Sequence, residues 1–320
     1  MPVANVSVIV PTFDNVGTIG RAIKSAQSQT LHNIEIVIVD DASTDGTYDL
    51  ASSLAATDPR IKLTRLRKNV GAGGARNTAL DMASGAWIAV LDADDWYEPN
   101  RLEVLLEAAQ KNNVDVICDN LQIFDHIKDE VIEYTNNGLK NKVMPLSAER
   151  FFRYDDPLRC YPMGMMKPVV RKEFLQTHRI MYDANHRTGE DFIFLAEIIL
   201  SGARALVVPG AYYVYVHRLS PTTRKISPHS RSGPNLNLIV RGCDEILQRY
   251  ASSMTKEARF ALERRRSMFQ RSIVFQDMVA AIRERKLFKA LEIVIKQPFI
   301  LILVTATILK LIKANILYRR

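Results

Sequence analysis

The sequence predicts an α/β protein: a doubly wound, mostly parallel sheet with helices on both faces, followed by a C-terminal helical extension. Three observations carry this. Val6 to Val10 (VSVIV) and Ile34 to Val39 are continuous apolar, largely β-branched runs, as strands buried on both faces of a parallel sheet require. Between them Ile19, Ala22, Ile23 and Ala26 repeat at helical spacing, which completes a βαβ unit. The strands then stop at polar or acidic loops, and the carboxyl ends of strands are where an open α/β sheet binds ligands.

In chain order, Pro11 stops the first strand and Thr12 to Gly17 forms a loop before a helix that begins at Thr18. The second strand ends in Asp40 and Asp41. Ala42 to Asp49 opens another helix with Ser43 or Thr44 as its cap, and Ile61 to Leu66 alternates like a more exposed strand. Asn69 to Asn77 is a glycine-rich turn leading into a helix that carries Ala79, Leu80 and Met82. Trp87 to Leu91 is a further buried strand. Leu102 to Ala109 and Val114 to Cys118 continue the sheet as helix and strand, and Phe124 to Pro145 is polar and irregular. The methionines of Pro157 to Pro168 read as core filling ahead of an apolar wall for an acceptor. Thr188 and Asp191 have capping-box spacing before the apolar helix Phe192 to Leu200, and Ala205 to Val208 with Tyr212 to Val216 form a last pair of strands. From Asn235 the chain is helical, with Leu236, Ile239, Ile246, Leu247 and Tyr250 at helical spacing and Thr255 as a cap.

Composition narrows the class. A chain of 320 residues with 47% hydrophobic and 24% charged residues is globular, not disordered. Cys118, Cys160 and Cys243 are odd in number and far apart, which fits buried free thiols better than disulfides or a cysteine metal site. MPVANVSVIV lacks the features of a signal peptide, so the bulk is expected to be cytosolic. The net charge of +8 is uneven: residues 231–320 hold 18 Lys+Arg and 7 Asp+Glu, +11, leaving −3 for the first 230. That excess points to an anionic surface, membrane or nucleic acid, near the tail. Phe299 to Leu309 is apolar for eleven residues, short of the roughly 20 that a membrane span needs. It reads as an interfacial helix or as one packed on the domain.

The candidate chemistry sits at AWIAVLDADDW, where Asp92, Asp94 and Asp95 fall within four positions. Carboxylates this close repel, and a hard divalent cation beside a phosphate relieves the conflict. The competing reading is an acidic turn opening a helix, with Asp94 or Asp95 as cap and Pro99 in the first turn. VGAGGARN, Val70 to Asn77, superficially matches a dinucleotide fingerprint but lies too late in the sheet, with Arg76 at the sixth place. Its glycines allow close backbone approach and Arg76 offers a fork to phosphate; otherwise it is a tight turn with a surface arginine. A flat aromatic (Phe13), a carboxylate able to accept from a base or ribose (Asp41) and an acidic pair together describe a nucleotide-diphosphate site. Singly, Phe13 reads as a loop anchor and Asp41 as a turn residue.

The ordered set SVIVPTFDN, VDDASTDGT, NVGAGGARN and LDADDW resembles the nucleotide-binding half of the inverting glycosyltransferases of family 2, which have the GT-A fold. The likeness is close over the first third and looser through TGEDF to about Arg224. It implies donor contacts from Pro11, Phe13, Asp41, Arg76 and Asp92, and Mn2+ or Mg2+ held by Asp92, Asp94 and His217. Asp14 departs from the asparagine commoner in the family motif. The resemblance puts the general base at Asp191, with Glu190 beside it, and charge neutralisation of the leaving group at Arg218 or Arg224. The expected division is a nucleotide-sugar half at 1–125, an acceptor and catalytic half at 126–230 and a basic helical tail at 231–320. The expected reaction moves a sugar from a nucleotide diphosphate, most simply UDP, to a hydroxyl of a polysaccharide or lipid-linked oligosaccharide at the inner face of the membrane. The alternatives are phosphoryl or nucleotidyl transfer through Asp92 and Asp94, or a basic nucleic-acid-binding module; the tail lacks an aromatic-basic groove, so no nucleic acid is expected.

Overall fold

A computed structural model describes residues 5–126, 128–134, 142–155, 163–217, 235–297 and 299. Its parallel half follows the βαβ pattern: β1 (Val6–Thr12), α1 (Ile19–Gln27), β2 (Ile34–Asp40), α2 (Thr47–Ala55), β3 (Ile61–Arg65), α3 (Gly71–Met82) and β4 (Trp87–Val90). Then come β5 (Trp96–Tyr97), α4 (Arg101–Lys111), β6 (Val116–Asp125), β7 (Glu130–Tyr134), β8 (Met144–Pro145), α5 (Ala148–Tyr154), a 3-10 turn at Met163–Met165, β9 (Val169–Arg171), α6 (Lys172–His178), α7 (Glu190–Leu200) and β10 (Ala205–His217). Three helices close the described chain: α8 (Leu236–Arg249), α9 (Lys256–Arg283) and α10 (Leu287–Lys296).

The sheet runs β3-β2-β1-β4-β9-β6-β10-β5, with β7 beside β6 and β8 beside β10. The first four strands are mutually parallel, and β9 lies antiparallel between β4 and β6. β6 and β10 are parallel again, and β5, β7 and β8 pair antiparallel at the edges. The sheet is therefore parallel in its N-terminal half and mixed in the other. Alternation along the strands divides the core between two faces. Val8, Val10, Ile36, Ile38 and Ala89 pack with α1 and α4; Ile9, Val37, Val39, Ile88 and Val90 pack with α3, α5 and α7. Cys243 and Ile246 of α8 and Ala258, Ala261 and Leu262 of α9 join the second core, so the basic C-terminal region begins as part of the sheet's own packing.

The structure departs from the sequence pattern at several places. α2 starts at Thr47 after Gly46, which takes φ 93°, and not at Ala42. Ser43 and Thr44 instead lock loops: the Asp14 amide donates to Ser43 Oγ at 2.9 Å and the Thr44 amide donates to Asp14 Oδ1 at 2.8 Å. The glycine-rich segment is the first turns of α3 itself, where a Cβ on Gly73 would meet the Asp183 carbonyl oxygen at 3.2 Å. Neither Asp94 nor Asp95 caps a helix, because β5 intervenes and Asn100 precedes α4. The capping box is absent at α7, whose N-cap is Gly189 at φ 82° with no side-chain cap bond. The last two strands are one, β10, with register shifts around Ala211. The stretch read as irregular from Phe124 holds the end of β6 together with β7 and β8. Thr255 does cap α9, accepting from the Ala258 amide. Cys118 and Cys243 are buried free thiols, whereas Cys160 and residues 300–309 lie outside the described residues. Among the described residues no helix is long and apolar enough to cross a membrane.

Glu35 ties β1, β2, β3 and the α3–β4 connection together. Its carboxylate accepts from Ser7 Oγ at 2.5 Å, Ser84 Oγ at 2.8 Å and the Gly85 amide at 3.2 Å, and meets Lys62 Nζ at 2.6 Å. Burial raises its pKa, but hydrogen bonds from Lys62, Ser7 and Ser84 outweigh that and bring it to about 2 from the ordinary 4.5. The stability this confers is complete above about 4.5 and is lost as pH falls through about 2. Glu35→Gln is expected to cost on the order of 2 kcal/mol at neutral pH in urea denaturation, with the gap to wild type closing as the solution is acidified through that window. A gap that is independent of pH would contradict the assignment.

Candidate active site

At the carboxyl ends of β1, β2 and β4 lies a cleft of about 200 Å3, lined by Pro11, Phe13, Asp41, Arg76, Asp92 and Asp94 together with Asn15, Arg187 and Glu190. Six residues singled out from four separated motifs thus meet in one place. The β1 loop is shaped by Asn15, whose Oδ1 accepts from the Phe13 amide at 3.2 Å, and by Asp14, which holds φ 50°. Asp41 receives the amides of Val70 (2.7 Å) and Gly71 (2.8 Å), so it closes the N-terminus of α3 from a neighbouring loop. Burial raises its pKa, opposed by those two amides and by the Arg187 charge.

Arg76 projects from α3 and is 2% exposed. Its guanidinium meets Asp92 Oδ1 at 2.7 Å, Glu190 Oε1 at 3.1 Å and Asp191 Oδ1 at 3.3 Å, and lies 5.0 Å from the Tyr182 ring. Its Nε is buried with no hydrogen-bond partner among the described residues. Lys167, just before β9, is equally enclosed: its Nζ sits 2.8 Å from Asp92 Oδ2 and bonds Asp191 Oδ2. Burial would raise the Asp92 pKa, but the Lys167 and Arg76 charges overturn it and hold the carboxyl well below its usual range. Burial likewise disfavours charge on Lys167, and Asp191 and Asp92 reverse that, raising its pKa well above the ordinary value.

The three acids after β4 therefore have three environments. Asp92 is ionised between two cations, and Asp94 lines the cleft. Asp95 turns inward, accepting from the Tyr213 hydroxyl at 2.7 Å and the Val216 amide at 2.9 Å. Burial, then repulsion from Asp94 and Asp92, raises its pKa well above the usual range. The mutual repulsion foreseen in the sequence is relieved largely by the protein itself.

Asp191 follows Glu190 at the start of α7; Glu190 lines the cleft, and Asp191 lies against Arg76 and Lys167. The residue His217 ends β10 in register with Asp125, one position beyond the Val216 amide that bonds Asp95. The His217 side chain, Arg218 and Arg224 lie outside the described residues. Sequence reasoning missed Lys167, Arg187 and Tyr213. The signal for Lys167 was available: a lone cation inside the apolar run GMMKPVV.

A part-parallel sheet with a strand-end cleft walled by acids is the arrangement expected of a GT-A fold. The model of glycosyl transferase family 2 matches residues 7–174, and the chain belongs to that family: it is a glycosyltransferase. It is 31% identical over 300 residues to the succinoglycan biosynthesis protein ExoO of Rhizobium meliloti (strain 1021), covering 93% of this chain and 83% of that one. Over 170 residues it is 40% identical to the UDP-Glc:alpha-D-GlcNAc-diphosphoundecaprenol beta-1,3-glucosyltransferase WfgD of Escherichia coli, covering 53% of this chain and 61% of that one. Its fold is shared with the mannosyltransferase PcManGT from Pyrobaculum calidifontis, solved in complex with GDP-Man and Mn2+, at TM-score 0.58 and 19% identity over 92% of this chain and 81% of that one. Family membership sets aside the phosphoryl-transfer and nucleic-acid readings.

Removing one partner of a buried ion network leaves the others uncompensated. Lys167→Met is therefore expected to lower stability by about 3 kcal/mol, read by thermal or urea unfolding. An unchanged midpoint would mean that Lys167 does not neutralise Asp92 and Asp191.

Proposed function

We propose that this glycosyltransferase is metal-dependent and inverting, and moves a sugar from a UDP-sugar to a hydroxyl of a polysaccharide or lipid-linked oligosaccharide. The observation that carries this is the meeting of Phe13, Asp41, Arg76, Asp92 and Asp94 in one cleft whose inner end adjoins Asp191. The UDP-glucose and diphosphoundecaprenol-linked acceptor in the name of WfgD support the donor and acceptor classes, and succinoglycan biosynthesis in that of ExoO supports the polysaccharide context. Residues 1–125 would hold the donor, 126–230 the acceptor and the base, and 231–320 would hold the enzyme peripherally at the inner face of the membrane.

In this reading Pro11 and Phe13 form the apolar floor under the base, and Asp41 accepts from it. Arg76, with its unpartnered Nε, and Arg187 face the diphosphate. The cleft offers carboxylate oxygens, hard ligands suited to Mn2+ or Mg2+. Both Asp92 oxygens already meet cations, so Asp94 is the principal ligand, with Asp92 and His217 beside it. Such an ion, when bound, stabilises charge on the leaving diphosphate. The acceptor oxygen bonds to the anomeric carbon as the bond from that carbon to the phosphate oxygen breaks on the opposite face. Asp191 takes the hydroxyl proton, and inversion follows because no covalent enzyme intermediate forms. Arg76 and Lys167 both contact Asp191, and the phosphates of a seated donor would share those two cations.

Asp191→Asn is expected to keep donor binding by calorimetry while transfer falls by about 10²–10⁴. Asp94→Asn is expected to abolish the manganese dependence of UDP-sugar binding. Undiminished transfer by the first variant would remove Asp191 as the base, and undiminished manganese dependence in the second would remove Asp94 as a ligand.

A further inference from the structure

Helix α10 has two apolar faces, and among the described residues only one is covered. Ala290, Ile293 and Val294 pack on Val274, Phe275, Met278 and Ala281 of α9. Leu287, Phe288, Leu291 and Ile295 are left 66%, 90%, 57% and 71% exposed. At 3.6 residues per turn these four fall in one arc of about 100°, adjoining the packed arc. Scattered exposed leucines are ordinary, but four large apolar side chains aligned on ten residues are not.

The charge around this stripe selects its occupant. Arg283, Arg285 and Lys286 lie just before α10, and Lys289 and Lys296 lie on its polar arc, against only Glu284 and Glu292. Each of those acids is held by a neighbouring lysine, Glu284 by Lys286 at 2.7 Å and Glu292 by Lys296 at 2.5 Å. A second copy would bring the same excess positive charge against itself. Residues 300–320 contain Lys310, Lys313, Arg319 and Arg320 and no acid, so they offer no electrostatic complement either. An apolar stripe on a helix whose ends and polar arc carry excess cations matches the boundary between acyl chains and anionic headgroups.

We propose that the Leu287, Phe288, Leu291 and Ile295 face of α10 inserts into the surface of an anionic lipid bilayer. This rests on the membrane-surface location proposed above and is independent of the donor chemistry. It moves the attachment from the apolar segment at 299–309 to a helix fixed on α9.

The test uses the full chain with vesicles of phosphatidylcholine alone or mixed with phosphatidylglycerol. Phe288→Trp is expected to shift its emission to the blue on phosphatidylglycerol vesicles, over the constant background of Trp87 and Trp96. The combined variant Leu287→Ser, Phe288→Ser, Leu291→Ser and Ile295→Ser is expected to lose co-sedimentation with those vesicles by about tenfold or more, while calorimetric donor binding is unchanged. Equal sedimentation of the variant and wild type would overturn the assignment to α10 and leave the membrane location standing. Wild type that sediments with neither vesicle would overturn both. A wild-type dimer that becomes a monomer in the variant, by light scattering, would overturn the proposal in favour of self-association.

Discussion

One buried cation holds the site together. Arg76 reaches from α3 to the acidic turn after β4 and to the first residues of α7, joining carboxylates from segments about a hundred residues apart. Desolvating a guanidinium is costly, and only multiple close carboxylates make it stable there. The glycines of α3 serve that purpose: they let the helix start lie against the Asp183 backbone, while Asp41 satisfies the first amides. Helix position, cation and acids are one construction.

Lys167 extends the same logic to β9. A three-residue antiparallel strand between β4 and β6 brings that lysine to the middle of the sheet's carboxyl edge, where it faces Asp92 and Asp191 together. Under the proposed function, this cluster of two cations and three carboxylates in contact would exchange partners when a diphosphate arrives. The C-terminal helices stabilise this edge from behind. Arg265 of α9, itself buried, pairs with Asp155, whose other oxygen accepts from the Gly164 amide in the turn that leads to Lys167. The helical extension is thereby linked to the chemistry as well as to the surface presented by α10.

The parallel half of the fold was legible because buried strands leave unbroken β-branched runs and α1 keeps a strict helical period. The cleft was legible because strand ends in such a sheet converge, so Phe13, Asp41, Asp92 and Asp94 could be grouped without coordinates, and the family resemblance added Arg76. Helix starts were misread at Ser43 and Thr188 for a common reason: Gly46 and Gly189, in left-handed conformation, begin α2 and α7, and nearby hydroxyls and acids are drawn into tertiary contacts. β9 was hidden by its length, since three residues carry no period. Lys167 and Tyr213 act across the sheet on partners 24 and 118 positions away, a pairing that local pattern does not encode.

The central claim is that the carboxylates around Arg76 and the cleft beside them form a diphosphate site. The most direct measurement is a crystal structure of the protein with uridine diphosphate and manganese. The expected result is the base against Phe13 and Asp41, the ion on Asp94, and the phosphates drawing Arg76 or Lys167 away from Asp191. A vacant cleft at saturating ligand, or a diphosphate bound elsewhere with the Arg76 contacts unchanged, would contradict it.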